Sequence, residues 1–161
     1  MNSWFECKVR YEKIDQKSGK NKKVTEPYLI DAITFSEAEE RIYKTLEEMI
    51  SGEFLVKSIS KSNITEVYPY EDGDRWFKCK LSYIDVDPES GKEKKVNNYM
   101  LITADNARTA YDRAQESLKE MIIPFELPSI VESPIIDVIP YTSASDEPNN
   151  SDPNSDFESV I

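Results

Sequence analysis

The segment Trp4-Phe5-Glu6-Cys7-Lys8-Val9 returns 72 residues later as Trp76-Phe77-Lys78-Cys79-Lys80-Leu81. The register holds without a gap through Tyr11/Tyr83, Ser18-Gly19-Lys20/Ser90-Gly91-Lys92, Leu29-Ile30/Leu101-Ile102, Ala38/Ala110, Arg41/Arg113 and Met49-Ile50/Met121-Ile122. One deletion then shortens the offset to 71, which aligns Phe54/Phe125, Ile59/Ile130, Val67/Val138 and Pro69-Tyr70/Pro140-Tyr141. Self-similarity at a fixed period constrains architecture more than any local signal. A repeat of this size is near the lower limit for a stable core of its own, so the two are expected to share one.

Each repeat reads as strand, hairpin, strand, helix, strand. From Trp4 to Tyr11, Phe5, Cys7, Val9 and Tyr11 alternate with Trp4, Glu6, Lys8 and Arg10, which is the period of a half-buried strand. Repeat two sets Phe77, Cys79, Leu81 and Tyr83 against Trp76, Lys78, Lys80 and Ser82. Asp15-Gln16-Lys17-Ser18-Gly19 and Asp87-Pro88-Glu89-Ser90-Gly91 suit type I turns closed by a left-handed glycine. The second strands are expected over 24–32 and 96–104.

Thr34 with Glu37 three residues on is a capping box, and Ala38, Ile42, Leu46, Met49 and Ile50 follow at helical spacing. Asn106 can cap the second helix, whose stripe is Ala107, Ala110, Ala114, Leu118, Met121 and Ile122. Gly52 and Pro124 end the two helices. Third strands are expected over 55–59, with 64–67 as an optional continuation, and over 130–139. The expected fold is therefore α+β: tandem β-β-α-β repeats over 1–70 and 76–141, packed pseudo-symmetrically, with helices on one face of antiparallel sheet. Residues 142–161 are rich in Ser, Asn, Asp and Pro and are expected to form a disordered acidic tail.

The formal net charge is −11 and there is no histidine. Five of the acids lie after Tyr141 with no Lys or Arg among them, so the rest of the chain carries −6. That balance excludes a uniformly basic nucleic-acid-coating protein and leaves room for a local basic face. Without histidine the commonest general base and metal ligand is missing. Cys7 and Cys79 lack a zinc-type spacing partner. On the Phe and Tyr side of their strands they read as small buried hydrophobes, with a disulfide or reactive thiol as the alternative. Asp85 and Asp87 beside Pro88 read as turn residues rather than metal ligands. Ser18-Gly19-Lys20 and Ser90-Gly91-Lys92 lack the earlier glycine and the following Ser or Thr of a phosphate loop, and they join strand to strand. No enzyme, metal or cofactor is expected. Met1 to Lys13 has no apolar core and no run is long enough to span a bilayer, so the chain is expected to be cytoplasmic.

One constellation remains. From Lys8 to Lys23 there are seven bases (Lys8, Arg10, Lys13, Lys17, Lys20, Lys22, Lys23) against Glu12 and Asp15. Repeat two offers Lys78, Lys80, Lys92, Lys94 and Lys95, offset by four acids. Trp4 and Trp76, each opening a polar strand face flanked by bases, have the composition of a stacking platform for single-stranded nucleic acid. The competing reading is a tryptophan that covers the sheet end, with lysines blunting a hairpin.

Two resemblances bear on this. The acidic tail resembles those of bacterial and phage single-stranded DNA-binding proteins, which implies that Phe157, Val160 and Ile161, beside Asp156 and Glu158, form a partner-docking tip and that the acids compete with DNA. The Trp-Phe-x-Cys-Lys opening, the Ser-Gly-Lys-x-Lys-Lys-Val hairpin and the Ala-x-x-Arg of the helix resemble a family of uncharacterised proteins of Bacteroidetes, their phages and mobile elements. That resemblance implies a phage or mobile-element accessory role and supplies no functional residues. Whirly and PUR-type folds are similar only in using repeated sheet-plus-helix units on single strands; their strand order differs.

The expected function is non-enzymatic binding of single-stranded DNA through Trp4, Lys8, Arg10, Lys20, Lys22, Lys23, Trp76, Lys78, Lys80, Lys92, Lys94 and Lys95, by a monomer or homodimer. The alternative is a protein-interaction module or an inhibitor of a host enzyme, which the negative charge favours. A small-ligand site would have only Arg41/Arg113 and Tyr11/Tyr83 to draw on, and both arginines read as helix-surface charges.

Overall fold

Alternation in Phe5, Cys7 and Val9 becomes the buried face of a long strand in a computed structural model that describes residues 2–141. The described elements are β1 (Ser3–Ile14), β2 (Asn21–Ala32), α1 (Phe35–Met49), β3 (Phe54–Lys61), β4 (Ile64–Tyr68), β5 (Arg75–Val86), β6 (Glu93–Ala104), α2 (Ala107–Ser117), β7 (Phe125–Ser133) and β8 (Asp137–Ile139). The architecture is α+β, with the eight strands in two four-stranded sheets of order β3-β1-β2-β8 and β4-β6-β5-β7.

β1–β2 and β5–β6 are antiparallel hairpins of twelve residues a side, and β3 and β7 add antiparallel to β1 and β5. The fourth positions are filled unexpectedly. β4 follows β3 in the chain but pairs in parallel with β6, and β8 follows β7 but pairs in parallel with β2. The single strand expected over 130–139 is thus cut in two, as is the optional continuation of 55–59 into 64–67, and in each case the second piece leaves for the other sheet. The chain divides into two compact units on this basis, one joining the part up to Lys61 with the part from Ile136, the other running Ser62–Ile135.

In the first unit Phe5, Cys7, Val9, Tyr28, Ile30 and Ala32 meet Ala38, Ile42 and Leu46 of α1, all buried, with Ile139 of β8 closing the cluster. In the second, Cys79, Leu81, Met100 and Ile102 meet Ala114 of α2, and Phe77, Ala104 and Ala110 form a smaller group. Burial of each Ile or Leu side chain here contributes about 1.5–3 kcal/mol. Both cysteines are buried free thiols, as expected for small hydrophobes, and burial pushes Cys7 up to about 12 and Cys79 up to about 11.

Thr34 Oγ1 accepts from the Glu37 N–H at 3.1 Å, and Asn106 Oδ1 accepts from the Thr109 N–H at 2.8 Å, so both expected caps form. The reciprocal half of the capping box does not show: Glu37 Oε1 is buried and takes no hydrogen bond. α2 stops short of the expected stripe. Ser117 Oγ bonds back to the Ala114 carbonyl at 2.8 Å, and the Leu118 N–H is shared among the carbonyls of residues 114 to 116. The chain unwinds ahead of Pro124, which disfavours helix before it. Ile122, expected on the buried stripe, is 96% exposed; Met49 and Ala107 are exposed too.

Candidate nucleic-acid interface

The two hairpin tips are built identically. Asp15 accepts from the Lys17 N–H at 3.0 Å and from the Ser18 hydroxyl, the Gly19 N–H reaches the Asp15 carbonyl at 2.7 Å, and the Asp15 N–H closes the loop on the Lys20 carbonyl at 2.9 Å. Asp87, Glu89, Ser90, Gly91 and Lys92 repeat every bond. Gly19 and Gly91 sit at φ of 70° and 71°, the left-handed region that closes such a turn with least strain. The Glu89 N–H and the Ser90 hydroxyl hold the Asp87 carboxyl below the usual carboxylate range.

The turns differ in what they present. Strand alternation puts Lys8, Arg10 and Lys23 on one face with Trp4, and Lys22 on the other with Lys13 and Tyr11. Lys13 and Lys22 stand directly opposite one another, a like-charge pair that ordinary sheet energetics disfavours. At the corresponding place in the second hairpin Asp85 faces Lys94, a neutral pair. Lys20, Lys22, Lys23, Lys92, Lys94 and Lys95 are all exposed.

The tryptophans lie far from these cations. Trp4 is the second residue of β1 and Ile14 the last, a separation of about 34 Å along an extended strand. Trp4 and Trp76 are both half-buried. Leu29 and Leu101, on the same face as the tryptophans, are fully buried, so that face is covered over part of its length. Lys8 and Arg10 are exposed, whereas Lys78 and Lys80 are half-buried and the Lys78 ammonium lies 4.7 Å from the centroid of the Tyr99 ring. Phe157, Val160 and Ile161 lie outside the described residues.

Between the base of the first hairpin, the turn after α1 and the start of β3 lies a cleft of about 780 Å³, lined by Arg10, Tyr11, Glu12, Lys23, Phe54 and Leu55 among others. The Tyr11 hydroxyl donates to Glu26, and this bond and burial raise its phenol well above the ordinary range, so the ring stays neutral. The Lys13 ammonium approaches the same Glu26 at 3.9 Å. A smaller cleft of about 390 Å³ occupies the equivalent place in the second unit, with Tyr83, Lys95 and Phe125, but Ser82 and Glu126 replace Arg10 and Leu55. The sequence pairs Tyr11/Tyr83 and Phe54/Phe125 mark these clefts, although only the coordinates bring each tyrosine and phenylalanine to the same recess as a lysine.

Arg41 and Arg113 are not helix-surface charges. Arg41 donates to the backbone carbonyls of Asp31 and, at 3.2 Å, Pro140, and lies 4.0 Å from the centroid of the Tyr141 ring. Arg113 donates to the Thr103 carbonyl and the Asp72 carboxylate, both at 2.6 Å, and lies 4.4 Å from the centroid of the Tyr70 ring. Each therefore ties its helix to the segment after the exchanged strand. Among the described residues no three His, Cys, Asp or Glu side chains are grouped to hold a metal, and no helix is long and apolar enough to cross a membrane.

Residues 3–141 match the family described as "Domain of unknown function (DUF4494)", and the chain belongs to that family. No curated protein and no solved structure matches.

Proposed function

We propose that this chain is a non-enzymatic binder of single-stranded nucleic acid, DNA in the first instance, that makes its main contact through the β1–β2 hairpin. The supporting observation is the like-charged Lys13/Lys22 pair, exposed at that hairpin beside a cleft that combines Arg10 and Lys23 with Tyr11 and Phe54. The Lys13 ammonium leans on Glu26 at 3.9 Å while Lys22 stands opposite it in the ladder, and a phosphate chain laid across the hairpin neutralises both lysines. The aromatic floor of the cleft suits an unstacked base, worth roughly 1–3 kcal/mol per base stacked. The second hairpin offers the same turn with its charge neutralised, and it serves as a weaker arm. Half-buried Trp4 and Trp76 are secondary contacts in this reading, too distant from the tip for one nucleotide to touch both.

The test is fluorescence anisotropy of a labelled oligo-dT against salt. Converting Lys20, Lys22 and Lys23 to Glu should weaken binding about 10–100-fold at low salt and flatten the log K against log [salt] slope by about 2, while the matching changes at Lys92, Lys94 and Lys95 should cost several-fold less. Equal losses from the two hairpins, or no binding by the unmodified protein at low salt, would overturn the proposal. A phage or mobile-element setting fits such a role, and isolation of the protein with single-stranded replication intermediates would support it.

A further inference from the structure

The first sheet has two edges, the three-residue β8 and the longer β3. β3 pairs with β1 on one side only, so alternate backbone N–H and C=O groups on its outer side stand ready for another strand. Its counterpart β7 is blunted: Pro128 occupies the place of Lys57, and Glu126 and Glu132 the places of Leu55 and Lys61. Proline cannot donate to a ladder, and β3 contains none. Beside β3, against α1, runs a groove of about 390 Å³ lined by Phe35, Glu39, Val56, Lys57 and Ile59 among others. Phe35 is 54% exposed although its ring meets Phe5 edge-on at 4.9 Å, and α2 has Ala107 in its place. The edge, the aromatic rim and the two lysines coincide in the first unit and not in the second.

We propose that residues Asp156–Ile161 of this chain, which lie outside the described residues, add to β3 as a fifth strand of the first sheet, with Phe157 seated against Phe35. Acidic Asp156 and Glu158 oppose the net charge of an edge that carries Lys57 and Lys61, with Glu39 the one acid lining the groove, and Phe157, Val160 and Ile161 are the large apolar residues of a stretch from 142 onward that otherwise has none. A second copy is the poorer occupant, because β3 laid on β3 would set these lysines against their own kind. Reach is sufficient. β8 stands at the opposite edge of the same four-stranded sheet, about 14 Å away. The fourteen residues 142–155 span at most about 46 Å and about 20 Å on average as a flexible chain. At that tether length the local concentration of the segment is in the millimolar range, which lets a weak strand addition persist.

The experiment compares amide hydrogen exchange in the full chain and in a full-length F157S/I161S variant, whose changes lie away from both cores. The expected result is about tenfold faster exchange across residues 55–60 in the variant, with β1 and β6 unchanged and with no dependence on chain concentration. A synthetic peptide of residues 154–161, added at millimolar concentration, should restore the protection, and F35A should abolish the restoration. Equal exchange in the two proteins overturns the proposal. Protection that grows with chain concentration also overturns it and assigns the edge to a second copy.

Discussion

Arg41 is half-buried, and its guanidinium reaches two backbone carbonyls whose residues are 109 positions apart in the chain, Asp31 and Pro140. A fork of fixed donors can do this and a single ammonium cannot. Arg41→Ala is therefore expected to lower stability by about 2–3 kcal/mol in denaturant unfolding, and Arg41→Lys to recover less than half of it. Arg113→Ala should cost less, since one of its two partners is the exposed Asp72 carboxylate. The matching arginines were visible in the repeat, but their role was not. Helical spacing shows which flank of a helix a residue occupies; it carries no information about a carbonyl that arrives from Pro140. The cysteines were legible because the strand period alone placed them among Phe and Val.

The hairpins are the most legible elements, because every bond in their tips joins residues at most five apart. Gly19→Ala and Gly91→Ala should each cost about 1 kcal/mol, read as matching falls in melting temperature, since both glycines hold the same left-handed conformation. Asp87→Ala should show a pH signature. The folded carboxyl of Asp87 titrates below its unfolded value, so its contribution is present at neutral pH and is lost as pH falls through the folded value. The melting gap between the unmodified protein and Asp87→Ala should close on acidification; a constant gap would show that the aspartate acts only through its size. The strands after the helices were less legible. β4 read as an optional continuation of β3, and β7 with β8 as one strand over 130–139; the breaks are only Ser62-Asn63 and Pro134-Ile135-Ile136, the second hidden by its apolar isoleucines. The basic tip of the candidate interface was visible as charge density, while its split over two faces and its distance from Trp4 emerged only with the paired register.

At the scale of the molecule, the placement of β4 and β8 means that neither residues 1–70 nor residues 76–141 hold all the strands of one sheet. Val67-Tyr68-Pro69-Tyr70 and Val138-Ile139-Pro140-Tyr141 are alike enough that each sheet could accept either strand. A fragment of residues 1–73 is expected to lack a partner for β2 as a monomer and to recover one by pairing two copies through β4. Analytical ultracentrifugation should find a dimer whose melting temperature rises with concentration; a stable monomeric fragment would show that the fourth strand is dispensable.

The same placement sets a schedule for biosynthesis. Lys61 leaves the ribosome with three strands and the helix of the first unit already made, yet the strand that completes that sheet ends at Ile139, 78 residues later. At ordinary elongation rates that is a wait of about 4–16 s, during which the nascent β4 is the nearest substitute for the missing strand. A newborn chain that settles for the substitute must release it before its second half can mature, so slowing translation beyond Lys61 should favour the wrong partner.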